Sequence, residues 1–224
     1  MAGPGIQYPP CSRHEQGKGV QVIAIIDYDV GNLANLKNAL DYQGIPNAIV
    51  RDAASVAAAE RIILPGVGAF WPAMNHLRKA GLEQVVRERV AAGVPFLGVC
   101  VGMQLLFDES EEDGMHPGLG LIPGRIVRFA GHDLKVPQIG WNQVRFQHAD
   151  PLLEGIPDGS YFYFVHSYYP VLAKQQDELG EADYGEPFAA IVRRGNLWGA
   201  QFHPEKSQAA GLRLLRNFAT LQPA

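Results

Sequence analysis

The chain has 224 residues, 47% of them hydrophobic, enough to bury one substantial core. A net charge of -4 argues against a grip on nucleic acid or anionic lipid, and no apolar run has the length of a membrane span. Two cysteines, Cys11 and Cys100, make no disulfide framework, and no basic-then-apolar export pattern is present, so a reducing cytoplasm is the expected setting.

Residues 1–19 are polar, rich in Gly and Pro and without periodicity, and are expected to form an extension outside the fold. Residues 20–224 then read as a single domain. Val20 to Asp27 is a near-continuous apolar run, as expected of a strand buried on both faces. Leu33, Leu36 and Leu40 mark one face of a helix that ends near Gly44. Ala48–Val50 and Arg61–Leu64 read as strands, the second stopped by Pro65-Gly66. A longer helical pattern through Leu77, Leu82, Val85, Val86 and Val90 ends at Gly93, and the next apolar run leads into Cys100. This alternation predicts an α/β fold with a mainly parallel central sheet flanked by helices. In such sheets ligands bind at the carboxyl ends of the strands.

The second half changes character. Between Gly118 and Val171 the runs Arg125–Phe129, Gln143–Phe146 and Tyr161–Val165 read as antiparallel strands added beside the parallel sheet. Phe188–Val192 and Leu197–Phe202 predict a hairpin around Arg194-Gly195-Asn196. Ala209–Leu221, with Leu212, Leu215 and Phe218 on one face, closes the chain as a helix.

Three stretches carry chemistry. In Gly98-Val99-Cys100-Val101-Gly102 an apolar strand runs into a cysteine between two glycines, and Val101 to Phe107 reads as the start of a helix. A strand–turn–helix elbow of this kind holds the central side chain out at the end of the sheet. The helix N-terminus favours a thiolate there, and the Val101 N–H faces a developing oxyanion. The alternative is a buried structural cysteine. In His203-Pro204-Glu205, proline favours an extended His203, so that Glu205 lies on the same side and can orient the imidazole. The alternative is a surface loop in which the two are neighbours by chance. In Leu64-Pro65-Gly66-Val67-Gly68-Ala69-Phe70, glycines at a strand end let a backbone N–H approach a substrate; the alternative is an ordinary turn.

Taken together, Gly98–Gln104 and His203-Pro204-Glu205 resemble the class I (triad) glutamine amidotransferases. Within these, the chain is similar to the glutaminase subunits of imidazole glycerol phosphate synthase. The similarity also rests on Asp27-Tyr28 with Gly31-Asn32-Leu33, Leu64–Phe70, Gly118–Gly124, Val136-Pro137 with Ile139–Asn142, Tyr163–Tyr169 and Phe202–Gln208, in one collinear run over about residues 20–221. The resemblance implies Cys100 as nucleophile, His203 as the proton relay and Glu205 as its holder. It implies an oxyanion hole from Val101, Val67 and Gly68. It further implies a glutamine site with Gln104, Glu112, Gly68, His166 and Ser167, where Glu112 faces the α-amino group. Read without the resemblance, Glu112 is a solvated helix-end charge within Asp108–Asp113.

The same resemblance implies a heterodimer with a (β/α)8 cyclase subunit, which uses the released ammonia to convert PRFAR to imidazole glycerol phosphate and AICAR in histidine biosynthesis. Asn32, Asn35, Trp141 and Lys206 match positions at that interface. No cofactor and no metal are implied. A glutaminase for another acceptor, or a non-catalytic binding subunit of the same fold, would be the alternatives. Three departures leave local shape open: Trp71-Pro72 where many relatives have Gly-Asp, Gln138 where His is common, and Val101 where Leu is usual.

Overall fold

A computed structural model describes residues 22–130 and 134–222. The expected extension at residues 1–19, with Cys11, lies outside the described residues. The first half contains β1 (Ile23–Ile26), α1 (Leu33–Tyr42), β2 (Asn47–Val50), α2 (Ala53–Ala57), β3 (Arg61–Gly66), α3 (Phe70–Lys79), α4 (Glu83–Ala91), β4 (Phe96–Cys100) and α5 (Val101–Gln104). Next come β5 (Phe107–Ser110), β6 (His116–Pro117), β7 (Ile122–Arg128), β8 (Gln138–Phe146), β9 (Ser160–His166) and β10 (Tyr168–Leu172). The chain continues with β11 (Glu178–Asp183), β12 (Pro187–Arg194), β13 (Leu197–Ala200) and α6 (Gln208–Thr220).

Nine strands form one sheet in the order β2-β1-β3-β4-β13-β12-β11-β8-β9. From β2 to β13 neighbours run parallel, and from β13 to β9 they run antiparallel. Every residue of β1, β3, β4 and β13 is buried, which is why those runs read as continuous apolar stretches. The hairpin expected around Gly195-Asn196 forms, with Arg194 opposite Leu197 and Gly195 at φ 61. Among the described residues no helix is long and apolar enough to cross a membrane.

The structure departs from the sequence reading in five places. β3 runs on through Pro65-Gly66, where it was expected to stop, because those two residues stay in register with Val99 and Cys100 of β4. The long helix expected before Gly93 is two helices. Gly81 (φ 69) and Leu82 donate to Arg78 and Leu77 at 2.9 and 3.1 Å, a C-terminal cap that stops α3. The helix after Cys100 does not reach Phe107. The N–H groups of Leu119 and Leu121 bond to the Leu105 and Leu106 carbonyls at 2.8 Å each, so those carbonyls are taken from outside the helix. The antiparallel strands expected between Gly118 and Val171 divide. β8 and β9 extend the large sheet, whereas β7 and β10 join β5 and β6 in a second, four-stranded sheet. Finally, α2 and β11 were not apparent in the pattern. α2 is short and starts at an Asp52 cap, and β11 carries Gly180, Glu181 and Asp183 against a bulged partner register.

Candidate active site

Three adjacent parallel strands end together. Gly66 of β3 stands opposite Cys100, the last residue of β4, and Ala200 of β13 stands opposite Val99. The chain leaves β13 and within three residues reaches His203, so Cys100, the Gly66-Val67-Gly68 segment and His203 share the carboxyl end of the parallel strands.

The Cys100 elbow is strained. Its backbone lies at φ 55, ψ −116, a conformation that non-glycine residues avoid and that turns the side chain out of the sheet. The flanking glycines are demanded by contact. A Cβ on Gly102 would stand 1.9 Å from the Leu64 oxygen, and one on Gly98 would stand 2.7 Å from the Gly102 oxygen. The turn therefore closes only without side chains at both positions. Cys100 Sγ lies 3.9 Å from the Val165 carbonyl and is 3% exposed.

His203 is extended (φ −96, ψ 100), as Pro204 predicts. Its N–H donates to the Tyr163 carbonyl at 2.9 Å, and its carbonyl accepts from the Ser207 hydroxyl at 2.6 Å. Gly211 lets α6 approach this turn, since a Cβ there would stand 2.0 Å from the Pro204 oxygen. Nδ1 of His203 meets Glu205 Oε1 at 2.9 Å, and both side chains are buried. Burial alone would lower the His203 pKa. Hydrogen bonding toward Cys100 and to Glu205 outweighs it and pushes the imidazole up to about 10. The second Glu205 oxygen, Oε2, is buried with no partner.

A cavity of about 550 Å³ opens beside this pair. Asn32, Val67, Gly68, Cys100, Val101, Gln104, Glu112, His166, Ser167, His203 and Lys206 all border it. Glu205 stands behind His203. Glu112 is not at a helix end; it follows β5 and accepts the Phe70 N–H at 2.7 Å, at the start of α3. Burial raises its pKa, and the Phe70 bond opposes that rise. Gln104 is buried, and its amide NH2 donates to the Tyr168 carbonyl and to Gln201 at 3.0 and 3.1 Å.

The three departures find places. Pro72 sits in the first turn of α3, where its missing N–H costs no helix bond, and Trp71 stacks on His116 at 4.7 Å. Gln138 pairs with His166 across β8 and β9, its Oε1 2.8 Å from Nε2, while His166 Nδ1 lies 2.8 Å from the Tyr168 carbonyl, and a neutral ring donates to one of these two oxygens. Burial lowers the His166 pKa to about 4, so the ring is neutral. Val101 is buried at the start of α5.

Asn35 and Trp141 lie away from the cavity. Asn35 donates its N–H to the Asn32 cap, and Trp141 is exposed on β8 with its ring edge toward Tyr163. Sequence reading gave Tyr163 no role, yet the Lys206 ammonium lies 5.7 Å over its ring. It also missed Tyr28, whose buried hydroxyl donates to the Pro65 carbonyl at 2.7 Å. Its signals were its place two residues past a fully buried strand and the Asp27-Tyr28 pair already counted in the resemblance.

The chain belongs to the glutamine amidotransferase class-I family, whose profile matches residues 24–221. A solved structure of a glutamine amidotransferase superposes with TM-score 0.70 at 24% identity, covering 91% of this chain and 100% of that one. Within the family it groups with imidazole glycerol phosphate synthase subunits HisH. It is 50% identical over 199 residues to that of Moorella thermoacetica (89% of this chain, 94% of the relative). It is 52% identical over 198 residues to that of Desulfitobacterium hafniense strain Y51 (88% and 93%).

Proposed function

We propose that this chain is the glutaminase subunit of imidazole glycerol phosphate synthase in histidine biosynthesis, with Cys100, His203 and Glu205 as its triad. Cys100 Sγ attacks the side-chain amide carbon of glutamine with the proton already on His203, whose pKa of about 10 keeps the ring an imidazolium. His203 then protonates the departing nitrogen, which leaves as ammonia, and a thioester remains. Water, deprotonated by His203, attacks the thioester and releases glutamate. Glu205 orients the ring and stabilises the imidazolium of each half. The N–H of Val101, at the start of α5, and those of Val67 and Gly68 are the proposed oxyanion donors.

The observation that carries this reading is the convergence of Cys100 and the His203–Glu205 pair at the ends of adjacent parallel strands, beside a cavity with ample room for an amino acid. In the proposed substrate site, Glu112 faces the α-ammonium. Gln104, Gly68, His166 and Ser167 line the remainder. Gln104 donates to the Tyr168 carbonyl and His166 Nδ1 lies 2.8 Å from it, so they also fix the backbone that borders the site.

The ammonia passes to a cyclase subunit, which we read as a (β/α)8 barrel seated on the face that carries Asn32, Asn35, Trp141 and Lys206. The expected behaviour is weak hydrolysis by the chain alone and strong activation by the cyclase with its nucleotide ligand. The test measures glutamate release with and without a cyclase subunit and PRFAR, beside Cys100→Ala. Release mainly with both additions, and none from Cys100→Ala, supports the reading. Release independent of the partner would assign another acceptor, and none under any condition would refute the glutaminase.

A further inference from the structure

The loop that carries the proposed Val67 and Gly68 donors is held unevenly along its length. Its first part is wedged against the elbow. A Cβ on Gly66 would stand 2.6 Å from the Gly102 nitrogen and 2.9 Å from the Tyr28 hydroxyl. Its second part is open. Val67 is 39% exposed, and a Cβ on Gly68 (φ 89) would meet nothing within 4 Å.

The change from wedged to open falls just after the Pro65–Gly66 peptide. Toward β4, the backbone there is in register, Pro65 with Val99 and Gly66 with Cys100. Toward β1, pairing ends earlier, at Ile25 with Ile63. Tyr28, just beyond the end of β1, supplies the missing donor on that side by reaching the Pro65 carbonyl with its hydroxyl. The ring is 2% exposed, and burial, aided by nearby Cys100, holds the phenol well above its usual pKa, so it remains a donor at any working pH.

We propose that Tyr28 is a positioning residue for glutamine hydrolysis, pinning the Pro65 carbonyl as the fixed end from which the Val67 and Gly68 N–H groups reach the oxyanion. The proposal rests on the glutaminase reading above. Removing the hydroxyl leaves Cys100, the His203–Glu205 pair and the cavity side chains in place. It loosens only the peptide that precedes the donors. The loss therefore falls on the tetrahedral intermediate rather than on bound glutamine.

The test compares Tyr28→Phe with the wild-type full chain, with and without the cyclase subunit. One neutral hydrogen bond lost in the transition state predicts a fall in kcat of about five- to tenfold, with KM within about twofold. An unchanged kcat, or a KM that rises as much as kcat falls, overturns the proposal. Amide hydrogen exchange on the same two proteins needs no activity. Protection should fall at Gly66 and Val67 while Phe96 to Val99 of β4 keep theirs. Unchanged protection in the loop, or a loss spread equally over β4, overturns the proposal whatever the kinetics. A wild-type chain that releases no glutamate refutes the glutaminase reading instead, and exchange alone then decides whether Tyr28 pins the loop.

Discussion

Glu205 Oε1 lies 2.9 Å from His203 Nδ1 across a single proline, and the two side chains are 3% and 6% exposed. Pro204 makes the first residue extended and starts a 3-10 turn, so a pair two residues apart is held side by side without water between them. Replacing Glu205 with Gln keeps the shape and removes the charge. Glutamine hydrolysis should fall by about a hundredfold or more, as for other triads that lose their carboxylate. A Glu205→Gln chain with unchanged kcat in the cyclase complex would remove Glu205 from the mechanism.

The same pair predicts a pH dependence of stability. The His203 pKa in the folded chain, about 10, lies above the ordinary 6.5. Its stabilisation is therefore complete below the ordinary value and is lost as pH rises through the folded value. Urea midpoints measured between those two limits should decline for the wild type, and decline less for Glu205→Gln.

Cys100, the proposed nucleophile, is held at a cost to the backbone. At φ 55 and ψ −116 a glycine is relaxed and an alanine is not. Both Cys100→Gly and Cys100→Ala should abolish glutamate release. Cys100→Gly should be the more stable of the two by about 1 kcal/mol, the relief of strain less the extra freedom of an unfolded glycine. Equal denaturation midpoints would show that the elbow carries no strain.

Gly102 allows β3 to lie directly on the elbow, with Leu64 O only 1.9 Å from where a Cβ would stand. Gly102→Ala must push β3 away from β4 at the level of the active site. The expected result is a loss of roughly 2–3 kcal/mol in unfolding free energy, together with activity. Unfolding by urea, read against Gly44→Ala, where a Cβ has open space but φ is 68, separates crowding from backbone strain.

Glu112 borders the cavity, and in the proposed substrate site it faces the α-ammonium of glutamine. Glu112→Gln should raise KM about tenfold or more with little change in kcat, because a charge-assisted bond of about 1.5–3 kcal/mol acts on substrate and transition state alike. Its pKa is raised by burial, so lowering the pH protonates it sooner than an exposed carboxylate and should raise the wild-type KM. A KM independent of pH down to the ordinary carboxylate range would contradict this placement.

Much of the fold is legible because the central strands are buried on both faces. Ile23–Ile26, Arg61–Leu64 and Phe96–Cys100 announce themselves as apolar runs between glycines and helix patterns, although β3 continues past that run through Pro65-Gly66. Legibility drops where structure depends on contacts between distant segments. α5 is cut short by the Leu119 and Leu121 amides, and β7 and β10 leave the main sheet to pair with β5 and β6. Nothing local in Val101–Phe107 or Arg125–Phe129 encodes those partners.

The amino-acid sequence by itself determined the elbow around Cys100 and the extended His203-Pro204-Glu205 turn. The turn depends on a proline preference that acts on the residue before it. The elbow depends on the room that Gly98 and Gly102 leave, which is written in the sequence although the Leu64 oxygen it admits comes from β3. Only the tertiary structure decided that β13 lies parallel beside β4, which brings His203 to Cys100. It likewise decided that Phe70 donates to Glu112 and that Tyr28 reaches Pro65. Strand order and cross-chain hydrogen bonds arise from packing the whole sheet at once, and no short stretch of residues carries that information.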